Sequence, residues 1–122
     1  MLRMVSVRIA AAGVQSVVGL YQQRDPRSHI PAAFAKVCEQ MRWDPLPTWR
    51  KLSDQTLPWF LHDNGSYIYK NTGDGQWWID EPSGGGVYVA RSEDVLPPAS
   101  GWEALSQGGS AQAPMPKVEV VR

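Results

Sequence analysis

The sequence predicts a small α+β domain, in which an antiparallel three-stranded meander over 66–91 packs on one amphipathic helix over 30–42, with extended N- and C-terminal arms. Three observations carry this reading. Tyr67-Ile68-Tyr69 and Trp77-Trp78-Ile79-Asp80 alternate on either side of a glycine-bearing turn, Thr72-Gly73-Asp74-Gly75, and Val87-Tyr88-Val89-Ala90-Arg91 follows after Pro82-Ser83-Gly84-Gly85-Gly86. Ile30, Phe34, Val37, Cys38 and Met41 recur at helical spacing. Both ends then differ from the centre: the front is basic and apolar, and the back is rich in Gly, Ser and Pro.

Residues 1–24 hold Arg3, Arg8 and Arg24 and no carboxylate before Asp25. The apolar run 9–20 is too short for a membrane span, which takes about 20 apolar residues. Three readings stand for this segment: an organelle presequence, a secretory signal, or the first element of the fold, with a strand over 14–21. As an arm it also offers peripheral membrane contact. Asp25-Pro26-Arg27-Ser28 is a turn, and Pro31 takes the first helical position with Ser28 or His29 as cap. Lys36, Glu39, Gln40 and Arg42 form the polar face of the helix. Cys38 falls on its apolar face, as a small core residue rather than a nucleophile.

Asp44-Pro45-Leu46-Pro47 ends the helix, and 47–52 reads as a short helical turn. The apolar stretch 57–61 leads into the sheet through the turn Asp63-Asn64-Gly65. Within the sheet, Tyr67 and Tyr69 share one face against Ile68, and Trp77 and Ile79 oppose Trp78 and Asp80. One face is expected to lie on the helix around Phe34 and the other to stay free. The proline-rich stretch 96–102 is a closing arm whose Trp102 docks back. Residues 106–117 read as a flexible linker and 118–122 as a β-prone end, either a disordered tail or a strand added to a partner sheet. The chain therefore divides into a front segment (1–24), one α+β domain (25–105) and a linker with tail (106–122).

Composition narrows the function. Twelve basic and twelve acidic residues are scattered with no basic stripe, which excludes nucleic acid as the expected partner. One cysteine permits no intrachain disulfide, so the chain is not a disulfide-stapled secreted domain. Asn64-Gly65-Ser66 matches a glycosylation acceptor, which matters only in a secreted chain. Six tryptophans exceed what a small core needs and imply a contact surface. Its expected residues are Tyr67, Tyr69, Trp77, Trp78, Tyr88 and Trp102, as a protein interface or a peptide groove. No nucleophile elbow, phosphate loop, zinc motif or paired-cysteine motif is present, and His29 and His62 are the only histidines. No catalytic residue, metal ligand or cofactor is assigned. Asp63, Asn64, Asn71, Asp74, Asp80 and Glu81 follow no calcium-loop order and read as turn formers. Gly84-Gly85-Gly86 precedes a strand rather than a helix, so it reads as a hairpin loop and not a phosphate cradle.

Leu57-Pro58-Trp59, then Gly65-Ser66-Tyr67-Ile68-Tyr69-Lys70-Asn71, then Trp78-Ile79-Asp80-Glu81-Pro82 resemble the elements of the WW domain over residues 57–82, with Thr72 where that family has a histidine. The resemblance implies a groove for proline-rich peptides on Tyr69 and Trp78, with Trp59 and Pro82 closing a small core. More broadly, 65–105 resembles aromatic, glycine-rich modules of lineage-specific proteins in single-celled eukaryotes such as dinoflagellates, some of them accessory subunits of organellar membrane complexes. The function expected is a non-catalytic accessory subunit of a larger complex, mitochondrial and membrane-associated. It binds other protein subunits through aromatic surface and terminal arms, with no small-molecule substrate. The alternatives are a free module binding proline-rich peptides and a carbohydrate-binding aromatic sheet, in the cytoplasm or another organelle.

Overall fold

The computed structural model describes residues 4–105 and 113–122. Eight strands form one antiparallel sheet: β1 (Ser6–Ala11), β2 (Gly19–Arg24), β3 (Trp59–His62), β4 (Tyr67–Lys70), β5 (Gln76–Asp80), β6 (Gly86–Arg91), β7 (Glu103–Ala104) and β8 (Lys117–Val121). Two short helices, α1 (Ala32–Gln40) and α2 (Pro45–Leu52), lie between β2 and β3. The strand order is β7-β6-β5-β4-β3-β2-β1-β8, an up-and-down sheet curled into a half-barrel.

This corrects the expected three-stranded meander on one helix. β4, β5 and β6 are neighbours on one side of a sheet more than twice that width, and the front segment supplies β1 and β2. The β-prone end is β8, which pairs with β1 of its own chain: Val7 opposes Val120 and Ile9 opposes Val118. The arms are thus walls of the fold. The physical reason is area: three strands and a helix leave most of the aromatic side chains here without cover, whereas a curled sheet buries a whole face against itself. Of the expected linker, 106–112 lie outside the described residues.

The concave face is filled. Val7, Ile9, Tyr21, Phe60, Ile68, Trp77, Ile79, Tyr88 and Val118 point inward from six strands and β8 and are all buried. Register explains the match, since Val7 opposes Tyr21, Phe60 opposes Ile68, Ile68 opposes Ile79 and Ile79 opposes Tyr88. The gap between β7 and β8 is spanned by the proline arm. Trp102 enters the core with its indole N–H on the Pro98 carbonyl (2.8 Å), and the Val118 N–H donates to the Ala99 carbonyl (3.2 Å).

The convex face carries a second core. Trp49 of α2 is fully buried among Phe34, Trp59, Tyr67 and Tyr69, with ring centroids 5.1, 5.7, 6.5 and 5.3 Å away. Both helices sit on this side, so β3 and β4 are covered on both faces. The 81–85 turn presses against α1 at Gly84 (φ 94°), where a Cβ would lie 2.5 Å from Val37.

Gly19 at the start of β2 has φ 141°, and a Cβ there would fall 2.1 Å from Nε2 of His62. That ring cannot step aside. Its Nε2 donates to the Val18 carbonyl (3.0 Å), its Nδ1 accepts from the Asn64 N–H (3.0 Å), and it meets Tyr21 edge-on. Gly19→Ala is expected to destabilise the fold by about 2 kcal/mol through backbone strain and overlap. A lowered denaturation midpoint at unchanged slope checks this; an unchanged midpoint contradicts the packing.

Candidate interaction surface

Indole hydrogen bonding sorts the tryptophans. Trp49 donates to the Pro26 carbonyl (3.3 Å), Trp59 to that of His29 (3.1 Å), Trp77 to that of Asp94 (3.4 Å), Trp78 to Asp74 Oδ2 (2.8 Å) and Trp102 to Pro98. Only Trp43 has no indole partner among the described residues, and its side chain stands 52 % exposed.

Trp43 sits at the elbow between α1 and α2. The elbow is built by a Schellman ending: the Arg42 N–H donates to the Glu39 carbonyl (3.1 Å) and the Trp43 N–H to that of Cys38 (2.8 Å), with Arg42 in the left-handed region at φ 62°. That conformation suits glycine, and a side chain there costs about 1 kcal/mol. Asp44 stands at the start of α2 without a side-chain cap, its carbonyl accepting from the Thr48 N–H (3.3 Å) and Oγ1 (2.7 Å), and Pro45 takes the first turn. The chain reverses sharply and leaves Met41 (54 %), Trp43 and Leu46 (42 %) outside both cores. They are three of the six large apolar side chains exposed among the described residues, and they lie within six positions of one another.

Among the six residues expected on the contact surface, Tyr67, Trp77 and Tyr88 are fully buried, and Tyr69 and Trp102 nearly so. Trp78 alone is partly exposed, its ring 6.5 Å from Tyr69 at 33°. Trp77, Tyr88 and Trp102 belong to the concave core; Tyr67, Tyr69 and Trp78 belong to the convex one. Trp43 was not among the residues singled out in the sequence. The available signal was its position after the last apolar helical residue, Met41, and before Asp44-Pro45, outside any apolar stripe.

The turn residues act as turn residues. Asn64 Oδ1 accepts from the Ser66 N–H (2.9 Å), Asn71 Oδ1 from Gly73 (2.7 Å) and Asp74 Oδ1 from Gln76 (3.0 Å). Asp80 is different. It lies in β5, buried on the convex face, with Oδ2 accepting from the Tyr67 hydroxyl (2.9 Å) and Oδ1 without a partner. Burial pushes its carboxyl up to about 7, the Tyr67 hydrogen bond opposes that, and Glu81 adds to it. Burial, then the neighbouring Asp80, drives the Tyr67 hydroxyl far above its ordinary range.

No group of three or more His, Cys, Asp and Glu is placed to hold a metal ion among the described residues, and none of their helices is long and apolar enough to cross a membrane. The chain matches no protein-family model, no curated protein and no solved structure.

Proposed function

We propose that this chain is a non-catalytic accessory subunit that binds a neighbouring protein through the α1–α2 elbow, with Trp43 as the anchor and Met41 and Leu46 beside it. One observation supports the reading: five of the six indoles are hydrogen-bonded within the protein, and the sixth projects from a corner that holds two more exposed apolar side chains. Tryptophan is the side chain that most often dominates an interface when it fills a partner's pocket. Membership of a mitochondrial membrane complex is part of the proposal and rests on the basic, acid-free segment 1–24. β1 and β2 occupy half of that segment, so the proposed targeting operates without its removal.

The test is affinity purification of the tagged protein from its own cells in mild detergent, comparing wild type with Trp43→Ala. A stoichiometric set of organellar membrane proteins is expected with the wild type and is lost with the variant. Unfolding of the isolated variant should match wild type within about 0.5 kcal/mol, because Trp43 belongs to neither core. Recovery of the wild type alone, or the same partners with Trp43→Ala, overturns the assignment of the elbow.

A further inference from the structure

At the end of the β2–β3 pair a groove of about 920 Å³ opens on the surface. It is independent of the elbow. Its two rims are each tied by hydrogen bonds, within the rim and to the structure behind it. One rim, 25–29, is a turn in which Asp25 Oδ1 accepts from the Arg27 N–H (2.8 Å) and Oδ2 from the Ser28 hydroxyl (3.3 Å). The buried indoles of Trp49 and Trp59 hold that rim from beneath through the carbonyls of Pro26 and His29. The other rim, 54–58, is tied by Asp54, whose Oδ1 accepts from the Thr56 N–H (2.9 Å) and whose own N–H donates to the Lys70 carbonyl (2.9 Å).

The charge lining this groove is unbalanced. Asp25 turns its carboxylate into its own turn. Arg24 spends one N–H on the Gln23 carbonyl (3.1 Å), and neither it nor Arg27 makes an ion pair, the single ion pair among the described residues being Arg8 with Glu119. Two arginines, Arg24 and Arg27, therefore line the same groove as the apolar residues Met4, Leu57 and Pro58. A guanidinium offers a planar fork of donors that suits an oxyanion, and the volume falls within the roughly 300–1,000 Å³ of small-ligand sites.

We infer that this groove binds an amphipathic organic anion, its carboxylate or phosphate head held by Arg24 and Arg27 and its aliphatic body laid on Met4, Leu57 and Pro58. Octanoate and octyl phosphate are the probes, titrated into the full chain and followed by amide chemical shifts, with octanol and inorganic phosphate as half-ligands. Saturable binding with shifts at 23–29 and 55–58 is expected, at least about tenfold tighter than either half-ligand. The preferred head group is read from the ratio of the two probes. Arg27→Gln, on an exposed side chain, should weaken the better probe by about tenfold while the unfolding midpoint stays unchanged. Adding Arg24→Gln should abolish saturation. Absence of saturable binding by both probes, equal binding of octanol, or shifts centred elsewhere in the chain would overturn the inference.

Discussion

Stability measured by chemical denaturation between about pH 4 and pH 9 will fall as the pH rises to about 7 and level off above it, and Asp80→Asn will remove the fall. The folded chain keeps the Asp80 proton up to about 7, while the ordinary carboxyl loses it near 3.8. Between those values the native state binds more protons than the unfolded one. The stabilisation is therefore complete below the unfolded value, declines as the pH rises, and is gone above about 7. Because Asp80 is only 5 % exposed, solvent screens little of this, and three pH units correspond to on the order of 4 kcal/mol. The cause is geometric. One oxygen of the carboxylate has the Tyr67 hydroxyl and the other has nothing, so ionisation places an under-solvated charge in the protein interior. Tyr67→Phe removes the hydrogen bond that favours the ionised form, and should move the fall to higher pH. A wild-type profile that is flat across this range, or a slope that survives in Asp80→Asn, would show that the carboxyl finds solvent or a partner.

How much of this was legible in the sequence depends on how locally each feature is encoded. The faces of β4 and β5 follow from alternation alone: Ile68, Trp77 and Ile79 enter the concave core, and Tyr67, Tyr69 and Trp78 the convex one. The helix follows from the spacing of Phe34 and Cys38, both buried. β3 gave no alternation because Trp59 and Phe60 are buried on opposite faces, so it read as a plain apolar run. β1 did alternate, with Val7 and Ile9 inward and Arg8 outward, but the apolar stretch that follows hid it inside a targeting pattern. β2 places only Tyr21 deep in the core; its Leu20 is exposed, and Gln22, Gln23 and Arg24 are polar. The pairing of β8 with β1 joins the two ends of the chain, and no local pattern encodes it. The surface was the least legible part. Aromatic abundance marked β4–β6, where rings are consumed by two cores, whereas Trp43 and the Arg24–Arg27 groove depend on which groups remain unpartnered after folding.

Removing residues 117–122 is expected to cost roughly 3–6 kcal/mol, a large share of the 5–15 kcal/mol that holds a typical domain. β8 looks like an appendage in the sequence, yet Val118 is buried in the concave core, and its N–H is the tie that draws the proline arm across the open side of the half-barrel. Loss of β8 uncovers Val7 and Ile9 along the whole edge of β1 and strips that strand of its ladder on one side. It also frees Ala99, so the arm that carries Trp102 loses its anchor. A bare edge strand with apolar side chains on one face pairs readily with other chains, so the shortened protein should aggregate as well as unfold at lower denaturant. A synthetic peptide of residues 113–122 supplied in trans should raise the midpoint again in proportion to its concentration, because it adds back the same strand at the same register. If the shortened chain unfolds at the denaturant concentration of the full one, and the peptide leaves it unchanged, then β8 is a dispensable arm after all. The core would then close on β1 alone.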